Sequence, residues 1–402
     1  MRVTRRDVLK GTGALLATNV FALEGAQRRP RRPHYMVFLS LRGGYDAFMS
    51  VNAQDQRVVK ENIHCGYRAD ERVQSAGSGR LYGPLIGELL RHDQDLCLVH
   101  GVRSDTTAHP NGIEMLVRGS IRAHEGKFTE KVAEKLSGDA PIPLIELTDV
   151  DGELRLEVRQ RPSWAQIRSQ AHLQQVERLG AVGAVGAVGA NDTITTSLAE
   201  SSVAAERLAR FLDDAHEDAG DLSSKFVSTM GGQLRTAFQA VRGNWARVID
   251  IATRDSWFDS HSDNDRFQRE LQPLAFADIA TFVDLLKHER NAYGPLFDQT
   301  TVAVFSEFGR FPRLNGELGK DHWPENSWVL FGKGIRGGIT VGATDTFGKG
   351  LPIDFSTGQV RERGGRPIFL DSAFATLYRT TGANPVEAGY ERDTAIDAAL
   401  DL

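Results

Sequence analysis

Thr301-Val302-Ala303-Val304-Phe305 runs directly into Ser306-Glu307-Phe308-Gly309-Arg310 and, after a loop, into Asp321-His322-Trp323. The opening run is apolar, β-branched and aromatic, which is the composition of a buried strand. Open α/β sheets gather their ligands just past the carboxyl ends of such strands. Glu307, Arg310, Asp321 and His322 all follow this one, so the stretch predicts a strand that delivers polar side chains to the edge of a sheet.

Outward from it, strands alternate with helices. Tyr35 to Leu41 predicts a strand ending in Arg42-Gly43-Gly44-Tyr45-Asp46, and Asp95 to His100 a second. Between them, Pro84 to His92 has helical apolar spacing at Leu85, Ile86, Leu89 and Leu90. Ile142 to Leu147 and Arg247 to Thr253 predict further strands, and Leu271 to Arg290 a helix. Asp371 is placed to cap a last helix that reaches Thr381 and stops at Gly382 and Pro385. Such alternation implies an α/β fold with a mostly parallel central sheet and helices on both faces. From Trp164 to Arg242 the pattern is that of a helical insertion. A Gly-Ala-Val repeat from Gly180 to Ala190 interrupts it as a low-complexity loop, and Asp192 or Thr193 can cap the helix beyond.

The amino terminus reads as an address. Thr4-Arg5-Arg6-Asp7-Val8-Leu9-Lys10 followed by the weakly apolar Gly11 to Ala22 has the order of a twin-arginine export leader. Its apolar part, about 12 residues, falls short of the ~20 needed to span a bilayer. Arg28-Arg29-Pro30-Arg31-Arg32-Pro33 reads as a stiff, solvated linker, and its charge leaves both a cleaved leader and an uncleaved anchor open. Residues 1–33 are thus expected to be leader and linker, and 34–402 a single domain, periplasmic or extracellular, with the twin-arginine machinery as a partner. A composition of 41% hydrophobic and 25% charged residues with a net charge of −5 is ordinary for a globular chain and argues against a nucleic-acid binder. No later segment is apolar enough to cross a membrane. Cys65 and Cys97 could join after export or remain buried free thiols.

On this frame the polar residues collect. Asp46 follows the first strand, His109 the second, Asp259-Ser260-His261 the strand ending near Thr253, and Glu307 with Asp321-His322 the last. Four loops therefore meet at one edge, and carboxylates mixed with imidazoles suit a divalent metal. Asp-x-His offers two ligands from one turn of loop, whereas Asp-His offers a ligand and a supporting carboxylate. Arg310 and Arg42 match a phosphate or sulfate with paired hydrogen bonds, though Arg310 could equally pair with Glu307 or Asp321 and fix its loop. Among Ser104, Thr106 and Thr107, Thr107 is the candidate nucleophile if it faces the metal; such clusters also form turns.

Leu41 to Asp46, Trp257-Phe258-Asp259-Ser260-His261-Ser262-Asp263, Phe305 to Arg310 and Lys320-Asp321-His322 occur in an order that resembles the exported bacterial domain-of-unknown-function family 1501, a relative of the sulfatases and alkaline phosphatases. His109 to Gly119 looks like that family's histidine-led helix, and Val341-Gly342 after Gly337-Gly338 fits as well. The resemblance spans most of residues 35 to 383. It implies an alkaline-phosphatase-like sheet and a two-metal site for Zn, Mn or Ca, drawn from Asp46, Asp259, His261, Glu307, Asp321 and His322. It also implies hydrolysis of phosphate or sulfate esters, carried by small molecules or polymers, with Thr107, His109 and Arg310 in catalytic roles. Three departures stand out: Glu307 in place of the usual Asp, Phe308 in place of His, and a tighter Asp259 to His261 spacing. They weaken the two-metal expectation; Phe308 and the unassigned nucleophile favour the alternative, a non-catalytic envelope protein that keeps the sheet and binds a partner, and the surviving Asp, Glu and His constellation favours the hydrolase.

Overall fold

A computed structural model describes residues 32–54, 63–122, 126–136, 140, 142–150, 153–159, 222, 224–392 and 394–402. The leader, the Gly-Ala-Val repeat and the cap at Asp192 or Thr193 lie outside the described residues. His34–Leu402 form one compact unit.

The central sheet contains β1 (Tyr35–Ser40), β2 (Leu96–Arg103), β3 (Ile142–Val150), β4 (Glu153–Arg159), β5 (Ala246–Ala252), β6 (Thr300–Phe305), β7 (Glu325–Gly332) and β8 (Ile339–Val341). Their spatial order is β8-β2-β7-β6-β1-β5-β3-β4. The pairings set β1, β2, β3, β5, β6 and β8 in one direction and β4 and β7 against them, so the sheet is mostly parallel.

Described helices include α1 (His109–Arg118), α2 (Phe128–Leu136), α3 (Thr229–Arg242), α4 (Asn264–His288) and α5 (Leu370–Thr380). They cover both faces, because side chains alternate along a strand. Tyr35, Val37 and Leu39 of β1 join a layer with Leu234 and Phe238 of α3 and Phe276, Ile279 and Val283 of α4. Met36 and Phe38 join the opposite layer with Leu116 of α1, Phe128 and Val132 of α2, and Phe374 and Tyr378 of α5. Each such fully buried side chain contributes roughly 1.5–3 kcal/mol.

Several elements differ from expectation. Pro84–Asp95 is a 3-10 run rather than an α-helix, broken at Gly87 by a φ of 51°. α4 begins at Asn264, a full turn and more before Leu271. Asp371 lies inside the first turn of α5 instead of capping it. Its carboxylate accepts the Ser120 hydroxyl at 2.5 Å and the Ile121 amide at 2.9 Å, tying α5 to the end of α1. β4, β7 and β8 were not foreseen. Cys65 and Cys97 are both buried and unpaired, and burial lifts their thiols to about 11 and about 12. Among the described residues no helix is long and apolar enough to cross a membrane.

Because β7 runs against its neighbours, its amino end lies at the edge where the parallel strands end; Glu325 pairs with Arg103, the last residue of β2. The segment 306–324 therefore leaves β6 and re-enters through β7 at one edge of the sheet. The loops after β1, β2 and β5 open there too.

Candidate metal centre

Close backbone approach brings the loops together. Gly43 has a φ of +99°, and a Cβ on it would lie 2.6 Å from the Asp259 nitrogen. Only glycine fits such a conformation and such contact. A Cβ on Gly319 would likewise collide with the His261 carbonyl at 1.9 Å. The 306–324 segment folds back as a small ribbon in which Arg310 stands opposite His322. Opposed residues of an antiparallel pair share a face, and both side chains reach Asp259. Arg310 Nη2 is 2.6 Å and His322 Nε2 3.1 Å from Asp259 Oδ1.

His109 opens α1, whose first turn holds Pro110 and whose end is capped by left-handed Gly119. Its Nδ1 lies 2.8 Å from Glu307 Oε1. Its Nε2 lies 3.4 Å from Asp259 Oδ2, yet this buried nitrogen has no hydrogen-bond partner. Among the described residues, His109, Asp259 and His322 each bring a ligand atom within 4.8 Å of the others. His261 stands beside this group, with Nε2 3.2 Å from Asp259 Oδ1 and 2.9 Å from His322 Nε2.

Tautomers follow from the partners. His322 Nδ1 is 2.6 Å from the Thr107 carbonyl, which only accepts, so this nitrogen carries the hydrogen. His261 Nδ1 faces the Asp321 carboxylate at 3.5 Å. The three Nε2 atoms consequently face one carboxylate, and those of His261 and His322 face each other, an arrangement that repels unless a cation or proton sits among them. Ligands about 2.0–2.1 Å from a tetrahedral zinc stand roughly 3.3 Å apart. His109 Nε2 and His322 Nε2 stand 3.4 and 3.1 Å from the Asp259 carboxylate, close to that spacing, so these three residues are the candidate metal ligands, with His261 beside them.

Electrostatics agree with a charged cluster. The Asp259 and Glu307 carboxylates beside His109 raise its pKa to about 9. Burial pushes the Asp259 carboxyl up, but the His109 and His322 imidazoles and the Arg310 guanidinium against it outweigh burial and hold the group well below the usual carboxylate range. The Phe308 ring, itself buried, packs 4.2 Å from the centroid of His322 and 4.7 Å from that of His109. It is the floor on which two of the imidazoles stand.

The other predicted residues fall elsewhere. Asp46 is fully buried and engaged by the Lys320 ammonium at 2.6 Å and by Asn264 Nδ2 at 3.1 Å. Glu307 is taken up by Gly43 N–H, Ser306 Oγ and His109. Asp321 is exposed and accepts from Asn315 Nδ2 at 3.2 Å. The side chain of Arg310 is fully buried; besides Asp259 it donates to the carbonyls of Gly43, Gly44 and Lys320. Thr107 is exposed and meets the cluster through its carbonyl, and Arg42 pairs with Asp255 at 2.5 Å. Lys320 and Asn264 were not singled out from sequence. Lys320 opens the quoted Lys320-Asp321-His322 segment but was given no role, and its alternation with Asp321 was the available signal.

A model of the family described as protein of unknown function (DUF1501) matches residues 162–354. The matched span contains Asp259, His261, Glu307, Arg310 and His322. A comparison with curated proteins gave no match.

Proposed function

We propose that this protein is a metal-dependent hydrolase of phosphate or sulfate esters, exported by the twin-arginine route to the periplasm or beyond, with one divalent cation held by His109, Asp259, His261 and His322. The observation that carries this is the convergence of three imidazole Nε2 atoms on the Asp259 carboxylate. An imidazole-rich set suits zinc or manganese better than calcium, which takes oxygen ligands. When bound, such an ion is a Lewis acid and lowers the pKa of water from 15.7 to about 7. The substrate class and an alkaline-phosphatase-like arrangement of the sheet rest on the resemblance to the sulfatases and alkaline phosphatases.

The roles of the chain's own groups follow from their contacts. Arg310 fixes Asp259 from the buried side, the Thr107 carbonyl fixes His322, and Phe308 supports two of the rings. Because Thr107 presents its carbonyl to the cluster, water is the favoured nucleophile over its hydroxyl. The experiment is metal analysis together with hydrolysis of an aryl phosphate and an aryl sulfate. One equivalent of zinc or manganese, turnover, and an unchanged rate in Thr107→Ala are expected.

One observation favours a second reading, a non-catalytic envelope protein that binds a partner through the metal edge. The Arg310 guanidinium is fully buried and has no reach toward a substrate anion. Metal-loaded protein that turns over neither ester decides for that reading.

A further inference from the structure

Glu307 stands where a ligand was expected, yet both of its oxygens are committed to the chain. Oε1 accepts the Gly43 amide at 2.9 Å and faces His109 Nδ1 at 2.8 Å; Oε2 accepts the Ser306 hydroxyl at 2.8 Å. Its side chain is fully buried. A carboxylate so placed has one function toward an imidazole: it fixes the hydrogen on Nδ1 and turns the Nε2 lone pair outward.

The packing makes this support rigid. α1 lies directly on the Glu307 stem, where a Cβ on Gly112 would come 2.9 Å from the Glu307 Cβ. The imidazole and its carboxylate are thus held by one helix, the end of β6 and the loop after β1. The other two rings have different supports: a neutral carbonyl for His322 and, for His261, the exposed Asp321 at the longer distance of 3.5 Å. His109 alone of the three is backed by a buried negative charge.

We infer that Glu307 is a positioning residue that acts through His109, setting its tautomer and strengthening its grip on the cation without touching the metal itself. This rests on the reading that the cluster binds a divalent cation. A purely structural link between α1 and the sheet would be served equally by glutamine, which keeps an acceptor oxygen of the same reach and lacks the charge.

The test is zinc affinity, measured by competition with a chromophoric chelator, for wild type and Glu307→Gln. A 10–100-fold loss, the usual effect of removing an outer-sphere partner, with an unchanged melting temperature of the zinc-free protein, supports the inference. Affinity within threefold of wild type overturns it and leaves the metal centre standing. Wild-type protein that binds no zinc overturns both. Should the glutamine variant fail to fold, the nitrogen-15 histidine spectrum of zinc-loaded wild type decides. His109 bound through Nε2 with a protonated Nδ1 is expected, and coordination through Nδ1 overturns the inference.

Discussion

The Nε2 atoms of His261 and His322 stand 2.9 Å apart, and each ring turns its Nδ1 toward an oxygen that can only accept. Two lone pairs at that distance are stable around a shared cation. His322→Ala should therefore lower zinc affinity by more than about 100-fold, beyond the 10–100-fold range of an outer partner. In wild type, zinc at 100 times its dissociation constant should add about 2.7 kcal/mol of stability, and a chelator should remove it. Calorimetric melting with and without chelator checks both, and a melting temperature indifferent to zinc would count against the site.

Arg310 is a structural keystone of the loops, so its replacement should be felt in folding. Removing it leaves the Gly43, Gly44 and Lys320 carbonyls and the Asp259 carboxylate without their donor. Arg310→Ala should cost roughly 3–5 kcal/mol in urea unfolding, the range for breaking a buried ion pair. Arg310→Lys should recover little, since a single ammonium cannot reproduce the planar fork. A lysine variant as stable as wild type would contradict this account.

Asp46 and Lys320 form a fully buried pair at 2.6 Å. Lys320→Met should destabilise by roughly 3–5 kcal/mol because it strands the Asp46 charge. Adding Asp46→Leu should restore much of that loss, as apolar replacement of whole buried pairs commonly does. Denaturant midpoints of the two single variants and the double variant complete the cycle; a double variant worse than the sum of both singles would refute the pairing argument.

Two buried histidines predict acid sensitivity. His34, beside Thr301, is lowered from 6.5 to about 3 by burial and by nearby Lys333 and Arg247. His100, beside Ser327, is lowered from 6.5 to about 4 by burial and by Arg80. Below 6.5 the unfolded chain takes up protons that the folded chain refuses. Their contribution is therefore complete above that pH and declines as pH falls toward 4, by up to about 1.4 kcal/mol per pH unit for each histidine. Urea titrations across this window should show the slope, and His100→Gln should flatten it.

Export is separable from the chemistry. Replacing Arg5 and Arg6 by lysine should leave the protein in the cytoplasm by cell fractionation, and normal export of that variant would remove the twin-arginine reading.

Much of the fold was legible because its strands carry strong local signals. Tyr35 to Leu41, Arg247 to Thr253 and Thr301 to Phe305 each match an observed strand to within a residue. β7 escaped notice because its start, Glu325-Asn326-Ser327, is polar and its direction depends on pairing with two distant strands. At the site, the chain positions that meet at the sheet edge could be read, but the roles could not. Asp321 and His322 look like one unit in sequence, yet strand alternation turns Lys320 and His322 inward and Asp321 to solvent. Asp46 follows its strand as foreseen, but what occupies it is a lysine 274 residues away.

The adjacency of β6 and β7 has a last consequence. The two strands that flank segment 306–324 are neighbours in the sheet, about 4.8 Å apart, and the segment carries Glu307, Phe308, Arg310, Lys320 and His322. It is therefore a cassette, removable and replaceable at a single seam in the sheet. Lengthening its tip, even to double, should cost only about 0.6 kcal/mol of closure entropy. The imidazole and guanidinium near its two ends are held in register by the pairing of Arg310 with His322.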